Sequence, residues 1–172
     1  HVVAAIAYEH LSAPAKIQVS QWLAHHPDYA RWVADADGGD RDEVAFIAAS
    51  SWPDDIKGRA DYENDGEIPK GVESAQNIGF SDHLMHKYWH YVDYGFSTDG
   101  TAVLPPHAVN ALTQIKIIHQ ALSNPKTPDS IKAYDLPWLI HLVGDVHQPL
   151  HAVSRFTKDA PEGDAGGNRV RL

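Results

Sequence analysis

Apolar positions recur at three- and four-residue intervals along much of the chain, the spacing that gathers side chains on one face of an α-helix. Val3, Ile6, Ala7 and Leu11 form the first such stripe and predict a short opening helix with that face buried. Ser12 and Pro14 stop it and start another, because serine caps a helix N-terminus and proline fits the first turn. Ile17, Trp22 and Leu23 carry this second helix to His26-Pro27. The acidic stretch Asp35 to Glu43 contains Gly38-Gly39 and reads as a loop, followed by a helix through Val44 to Ala49. Asp61 to Gly79 is polar and glycine-containing, a long excursion of the kind that carries function or mobility. Tyr88 to Tyr94 is aromatic and β-branched and reads as extended. A helix from about Val109 to Leu122 places Leu112, Ile115, Ile118 and Leu122 on its inner face. The last helix follows Asp135 as its cap, with Pro137 in the first turn, and runs through Trp138, Leu139, Leu142 and Val143 to the vicinity of Gln148-Pro149. The tail from Gly163 to Leu172 is too short and glycine-rich for another. No repeat or low-complexity block interrupts this pattern, which predicts one all-α domain with long irregular loops and little β structure.

Size and composition agree. A chain of 172 residues with 43% hydrophobic and 22% charged positions is an ordinary globular domain, and no apolar run approaches the roughly 20 residues that span a bilayer. Against 23 Asp and Glu stand 14 Lys and Arg, a net charge of -9. That balance excludes a protein that grips nucleic acid through a basic patch, unless bound divalent cations supply the positive charge locally. The 12 histidines are the outlier, and cysteine is absent, so any zinc would be held by His, Asp, Glu or backbone groups. The chain begins at His1 without an initiator Met or a signal peptide, which leads us to expect a processed or partial chain.

The sharpest local signal is His141-Leu-Val-Gly-Asp145, followed by His147-Gln-Pro-Leu-His151. Residues four apart share a helix face, so His141 and Asp145 can grip one ion. His147 lies about 200° round the helix from Asp145 and should point elsewhere. Pro149 should end or bend the helix and let His151 return toward the site. An isolated pair of this kind is more often a core histidine with its hydrogen-bonded carboxylate. Inside an apolar helix, however, a buried carboxylate is costly without a cation. Ser51-Trp52-Pro53-Asp54-Asp55-Ile56-Lys57 and His90 supply further candidate ligands, although alone the first reads equally as a helix end with solvated charges and the second as a histidine packed beside Trp89. His10, His25, His26, His83, His86, His107, His119 and His147 are assigned no role, the pair His83/His86 being at most an adventitious ion site.

In combination, Ser51-Trp52-Pro53-Asp54, Trp89-His90-Tyr91-Val92-Asp93 and His141-x3-Asp145-x5-His151 resemble the zinc-dependent single-strand nucleases. These are secreted trinuclear-zinc enzymes of fungi, plants and bacteria, related in fold to bacterial zinc phospholipase C. The opening from His1 to Leu11 and the segment Gly166-Gly167-Asn168 are similar too, so the resemblance spans essentially the whole chain. Gly144 to His151 is its most specific part.

The resemblance implies that Asp54, His90, His141 and Asp145 form a first zinc site, that Asp145 also bridges toward a third zinc held by His1, and that His151 serves the second. Asp54 would orient or deprotonate a metal-bound water. Lys57 stands where the family usually has an arginine that stabilises the charge developing on phosphorus, which keeps a point charge but loses the bidentate fork. Tyr91 would stack on a base, Asp93 would read its edge, and Asn168 would join them in binding substrate. The implied activity is endonucleolytic cleavage of single-stranded DNA and RNA to 5′-phosphorylated products, with 3′-nucleotidase activity left open. Secretion or a periplasmic location is implied with it, and no membrane or protein partner is expected.

Two departures accompany the match. The family's chain begins with a tryptophan a few residues before the position of His1, and its second zinc needs a His-x-x-x-Asp pair downstream of Gly-Gly-Asn. Neither is present, so of three expected zincs only one has a full ligand set, and the expectation is a single domain, 1–172, that lacks a few N-terminal residues and a C-terminal helical part. A zinc phospholipase C-like hydrolase and a truncated, inactive metal-binding module are the competing readings. An HD-type phosphohydrolase and a zincin are disfavoured, because no His is followed by Asp and no His-Glu-x-x-His occurs.

Overall fold

The computed structural model describes residues 1–34, 36 and 39–170. Its frame is helical: α1 (Val2–His10), α2 (Ala13–Leu23), α3 (Tyr29–Trp32), α4 (Arg41–Ala49), α5 (Trp52–Asp55), α6 (Ala111–Ser123), α7 (Asp129–Asp145) and α8 (Pro149–Ala152), with short 3₁₀ turns in the loops. Two four-residue strands, β1 (Tyr94–Ser97) and β2 (Val153–Phe156), complete it. Among the described residues no helix is long and apolar enough to cross a membrane.

The central element is α7, which has no single apolar stripe because it is covered on opposite sides. Tyr134, Trp138 and Leu142 face a cluster containing Trp52, Trp89 and Ile118. Leu136 and Ile140, half a turn away, face a second cluster built from Ala4, Tyr8, Leu23 and Phe46. The helix begins at Asp129 after Pro128, six residues before the predicted cap. Asp135 is therefore no cap. It is fully buried in mid-helix, where Asn77 Nδ2 donates to its Oδ2 at 2.8 Å. Pro137 lies inside the helix as well, and its packing on both sides outweighs the one backbone bond it forfeits.

The opening stripe is also rotated from its expected position. Val3 and Ile6 are 58% and 52% exposed, whereas Ala4 and Tyr8 are buried, because the Tyr8 ring packs on Phe46 of α4 at 5.4 Å. Other signals sit where the sequence puts them. Ser12 caps α2 by accepting from Ala15 N, and Asn110 caps α6 in a reciprocal box with Thr113. Of the expected acidic loop, Asp35, Asp37 and Gly38 lie outside the described residues, as do the last two tail positions; Asp40 caps α4 by accepting from Asp42 N and Glu43 N.

The aromatic run departs most from expectation. Lys87–His90 is a buried 3₁₀ turn, and extended pairing starts only at Tyr94. There β1 runs parallel to β2, with Tyr94 opposite Val153 and Ser97 opposite Phe156. Parallel neighbours bring the residues that precede them to the same end. The ribbon thus carries Tyr91 and Asp93 to the side of His151, and Val92 N–H donates to His151 O at 2.9 Å.

Candidate active site

Three elements converge at one end of α7. Trp52 is wholly buried, packed edge-on against Trp138 and Tyr134, and its Nε1–H donates to Asp28 Oδ2 at 2.8 Å. Pro53 occupies the first turn of α5, so the anchor and the proline together fix where Asp54 emerges. On α7, His141 and Asp145 share a face, with Nε2 3.0 Å from Oδ2. The 3₁₀ turn delivers His90, whose Nδ1 lies 2.9 Å from the same Asp145 oxygen. Asp54 Oδ1 is 3.9 Å from both His90 Nδ1 and His141 Nε2.

This donor set suits a divalent cation. His141 donates Nδ1–H to Ser50 O at 2.8 Å, which fixes the tautomer and turns the Nε2 lone pair inward. That nitrogen faces His90 Nδ1 at 2.9 Å, and two ring nitrogens that close need a proton or a cation between them. Tetrahedral zinc with bonds near 2.0–2.2 Å sets its ligand atoms about 3.3–3.6 Å apart, and the 2.9–3.9 Å spacings here bracket that value. Asp54, His90 and His141 each aim a single donor atom into the same small volume.

Electrostatics favour the metal-binding forms of His90 and Asp145. Burial pushes both rings toward neutrality; it prevails at His90, which is lowered to about 4, whereas at His141 the bond to Asp145 outweighs it and the ring is raised. Burial also opposes ionisation of Asp145, but the bonds from His141 and His90 hold its carboxyl well below the usual range. A neutral His90 and an ionised Asp145 are the forms that bind metal at neutral pH. At Asp54, burial is overridden by Lys57, whose Nζ donates to Oδ1 at 2.6 Å.

The remaining expected residues fall into two groups. His151 comes back toward the cluster from α8, its Nδ1 3.5 Å from Asp145 Oδ1, while His147 turns away and its Nδ1–H donates to Val143 O. His1 stands exposed at the start of α1, and no hydrogen bond or ion pair joins it to Asp145 among the described residues. Tyr91, Asp93 and Asn168 line a single cavity of about 530 Å³ beside the cluster. The Tyr91 ring is the join, 5.2 Å from the His151 ring and 6.2 Å from that of His90. Burial raises the Asp93 carboxyl, while His107 and Arg169 facing it pull the other way. Exposed Ile68 and Leu104 form an apolar rim.

The turn carrying Asn168 depends on Gly166. Its φ is +63°, and a Cβ there would run into the Leu150 carbonyl oxygen, so only glycine lets this turn close on the residue preceding His151. Sequence reasoning missed Arg169 and His107 in the cavity and Ser50 O behind His141. No spacing marks a backbone carbonyl 91 residues away.

Comparison with known proteins gives one answer. No match to the chain is found among curated proteins or among solved structures. The family model described as S1/P1 Nuclease matches residues 1–172. The helical frame, the metal-suited cluster and the adjoining cavity agree with that match: the chain belongs to the S1/P1 nuclease family.

Proposed function

We propose that the chain hydrolyses phosphodiester bonds in single-stranded DNA and RNA to 5′-phosphorylated products, with zinc as its metal. The observation that carries this reading is the position of the Asp54, His90, His141 and Asp145 cluster beside the cavity that holds Tyr91, Asp93 and Asn168. Zinc bound there would lower the pKa of a coordinated water and screen charge on the phosphate.

The chain's own residues supply the rest. Asp54, ionised beside Lys57, would accept a proton from an attacking water. Lys57 would offset negative charge on the phosphate as a point donor. Tyr91 offers a face to an unstacked base, and such contacts are worth about 1–3 kcal/mol with little sequence preference. Single-strand preference follows, since a paired base cannot reach that face. Asp93 and Asn168 offer an acceptor and an amide to the base edge. His151 and His1 would serve further ions, and the family resemblance implies a secreted or periplasmic location.

The apolar rim at Ile68 and Leu104 gives a phospholipase C-like activity one supporting observation. The test therefore uses zinc-loaded protein on single-stranded DNA, duplex DNA and phosphatidylcholine, each with and without chelator. Chelator-sensitive cleavage of the single strand above the duplex supports the proposal. Lipid hydrolysis alone, or cleavage indifferent to chelator, overturns it.

A further inference from the structure

Away from the cluster, one buried ring has a carboxylate on each nitrogen. His86 is 1% exposed and stacks flat on Trp89, 3.8 Å between centroids and 1° between planes. Its Nε2 lies 2.9 Å from Asp82 Oδ2 and its Nδ1 3.3 Å from Asp65 Oδ2, with side-chain exposures of 5% and 12% for the two acids. Tyr88 Oη is also 3.3 Å from Nδ1, and Asp65 Oδ1 accepts the His86 backbone N–H at 2.9 Å. The residue holds φ at +45°, a conformation that a non-glycine residue keeps only when its surroundings enforce it.

A neutral imidazole protonated on Nε2 would bond Asp82 and accept from Tyr88 Oη at Nδ1, but it would leave the buried Asp65 Oδ2 without a partner; only the imidazolium presents a donor to both acids. Without that proton, two largely buried acids lose their counter-charge. The other groups facing the triad do not replace it. Tyr62 and Tyr134 approach from the side of Asp82, Trp138 touches the ring edge, and Lys87 is paired with Glu67 at 3.0 Å.

The triad sits at a junction. Asp65 belongs to the polar excursion and Asp82 to the segment that follows it, and the two are laced together by Glu63 N–H to His83 O and Met85 N–H to Glu63 O. His86 is the residue from which the 3₁₀ turn bearing His90 starts. We propose that His86 is a positioning residue, a cationic lock between Asp65 and Asp82 that fixes the excursion and the His90 turn and opens when His86 loses its proton. The positioning part rests on His90 being a metal ligand. Burial lowers the affinity of His86 for its proton, and the two acids override this and raise it. The lock is therefore closed below the ordinary histidine range and is lost as pH rises through the raised value.

Ring-nitrogen NMR of zinc-loaded wild-type protein from pH 6 to 9.5 tests the charge state, and amide hydrogen exchange over residues 61–86 tests the lock. The expected result is a His86 ring protonated on both nitrogens at pH 7, with protection of 61–86 falling as it titrates. His86→Gln should lose that protection already at pH 6 and should bind zinc at least about tenfold more weakly. Should His86→Gln fail to fold, Asp65→Asn/Asp82→Asn keeps the acceptors without the charge, and its His86 should titrate at or below the ordinary range. A ring protonated on one nitrogen at pH 7, or 61–86 protection indifferent to pH, overturns the lock. Unchanged zinc affinity in a variant that has lost protection overturns the positioning role. Wild-type protein that binds no zinc overturns the proposed function and that role together, and leaves the NMR and exchange results to decide the lock.

Discussion

The two halves of the site are built differently. Asp54, His141 and Asp145 ride on helices whose neighbours Trp52, Trp138 and Leu142 are buried to 1% exposure or less. Their geometry follows from side chains packed into the larger aromatic cluster. Tyr91, Asp93 and His151 sit just ahead of the strands of a short parallel ribbon, and Asn168 follows a glycine turn, so their positions follow from strand pairing and one backbone conformation. The metal-binding half is thus fixed by core packing, and the substrate-facing half by contacts distant in sequence. A loop-built wall can be altered in shape without disturbing the cluster it adjoins.

Substitutions that strike one half and spare the other sharpen this contrast. Asp145→Ala removes the carboxylate shared by His90 and His141; hydrolysis of single-stranded DNA should drop more than about 100-fold and bound zinc should fall. Asp135→Asn probes the helical half without touching the ligands. Burial raises Asp135 from 3.8 to about 7, so the fold holds a proton that the unfolded chain releases. Stability then falls as pH climbs from about 4 to 7, by at most about 4 kcal/mol. The asparagine variant should lose that fall and melt higher than wild type at pH 8, with little difference near pH 4.

In the substrate-facing half, Tyr91→Ala should raise KM by roughly 5- to 150-fold, the loss of one stacking face, with zinc content unchanged by elemental analysis. Gly166→Ala combines left-handed backbone strain of about 1–3 kcal/mol with a clash on the Leu150 carbonyl; it should lower stability in urea unfolding by at least that and raise KM by displacing Asn168, with the zinc of the Asp54, His90, His141 and Asp145 cluster retained. Loss of zinc in either variant would break the separation.

The sequence made the helical half legible because its signals are local. The His141-x3-Asp145 spacing fixes a shared face, and Trp-Pro before Asp54 marks an anchor and a helix start. The position of His151 was readable from Pro149. The ribbon was not readable: β1 and β2 are four residues each and pair across 59 positions, and the Lys87–His90 turn has strand-like composition but is held by the buried Trp89 and His86. Asp135 misled for a related reason. An acid ahead of a proline looks like a cap, and only the packing of α7 on both sides shows it to be interior. His86, set aside as an adventitious ligand, owes its partners to a loop crossing that no spacing encodes.

The most direct test of the central claim is zinc stoichiometry by elemental analysis on protein of verified intact mass, wild type beside His90→Ala/His141→Ala. The account predicts at least one zinc per wild-type chain, removed by chelator together with nuclease activity, and a deficit of at least one in the double variant. Equal zinc in both proteins, or single-strand cleavage by wild type stripped of zinc, would contradict it.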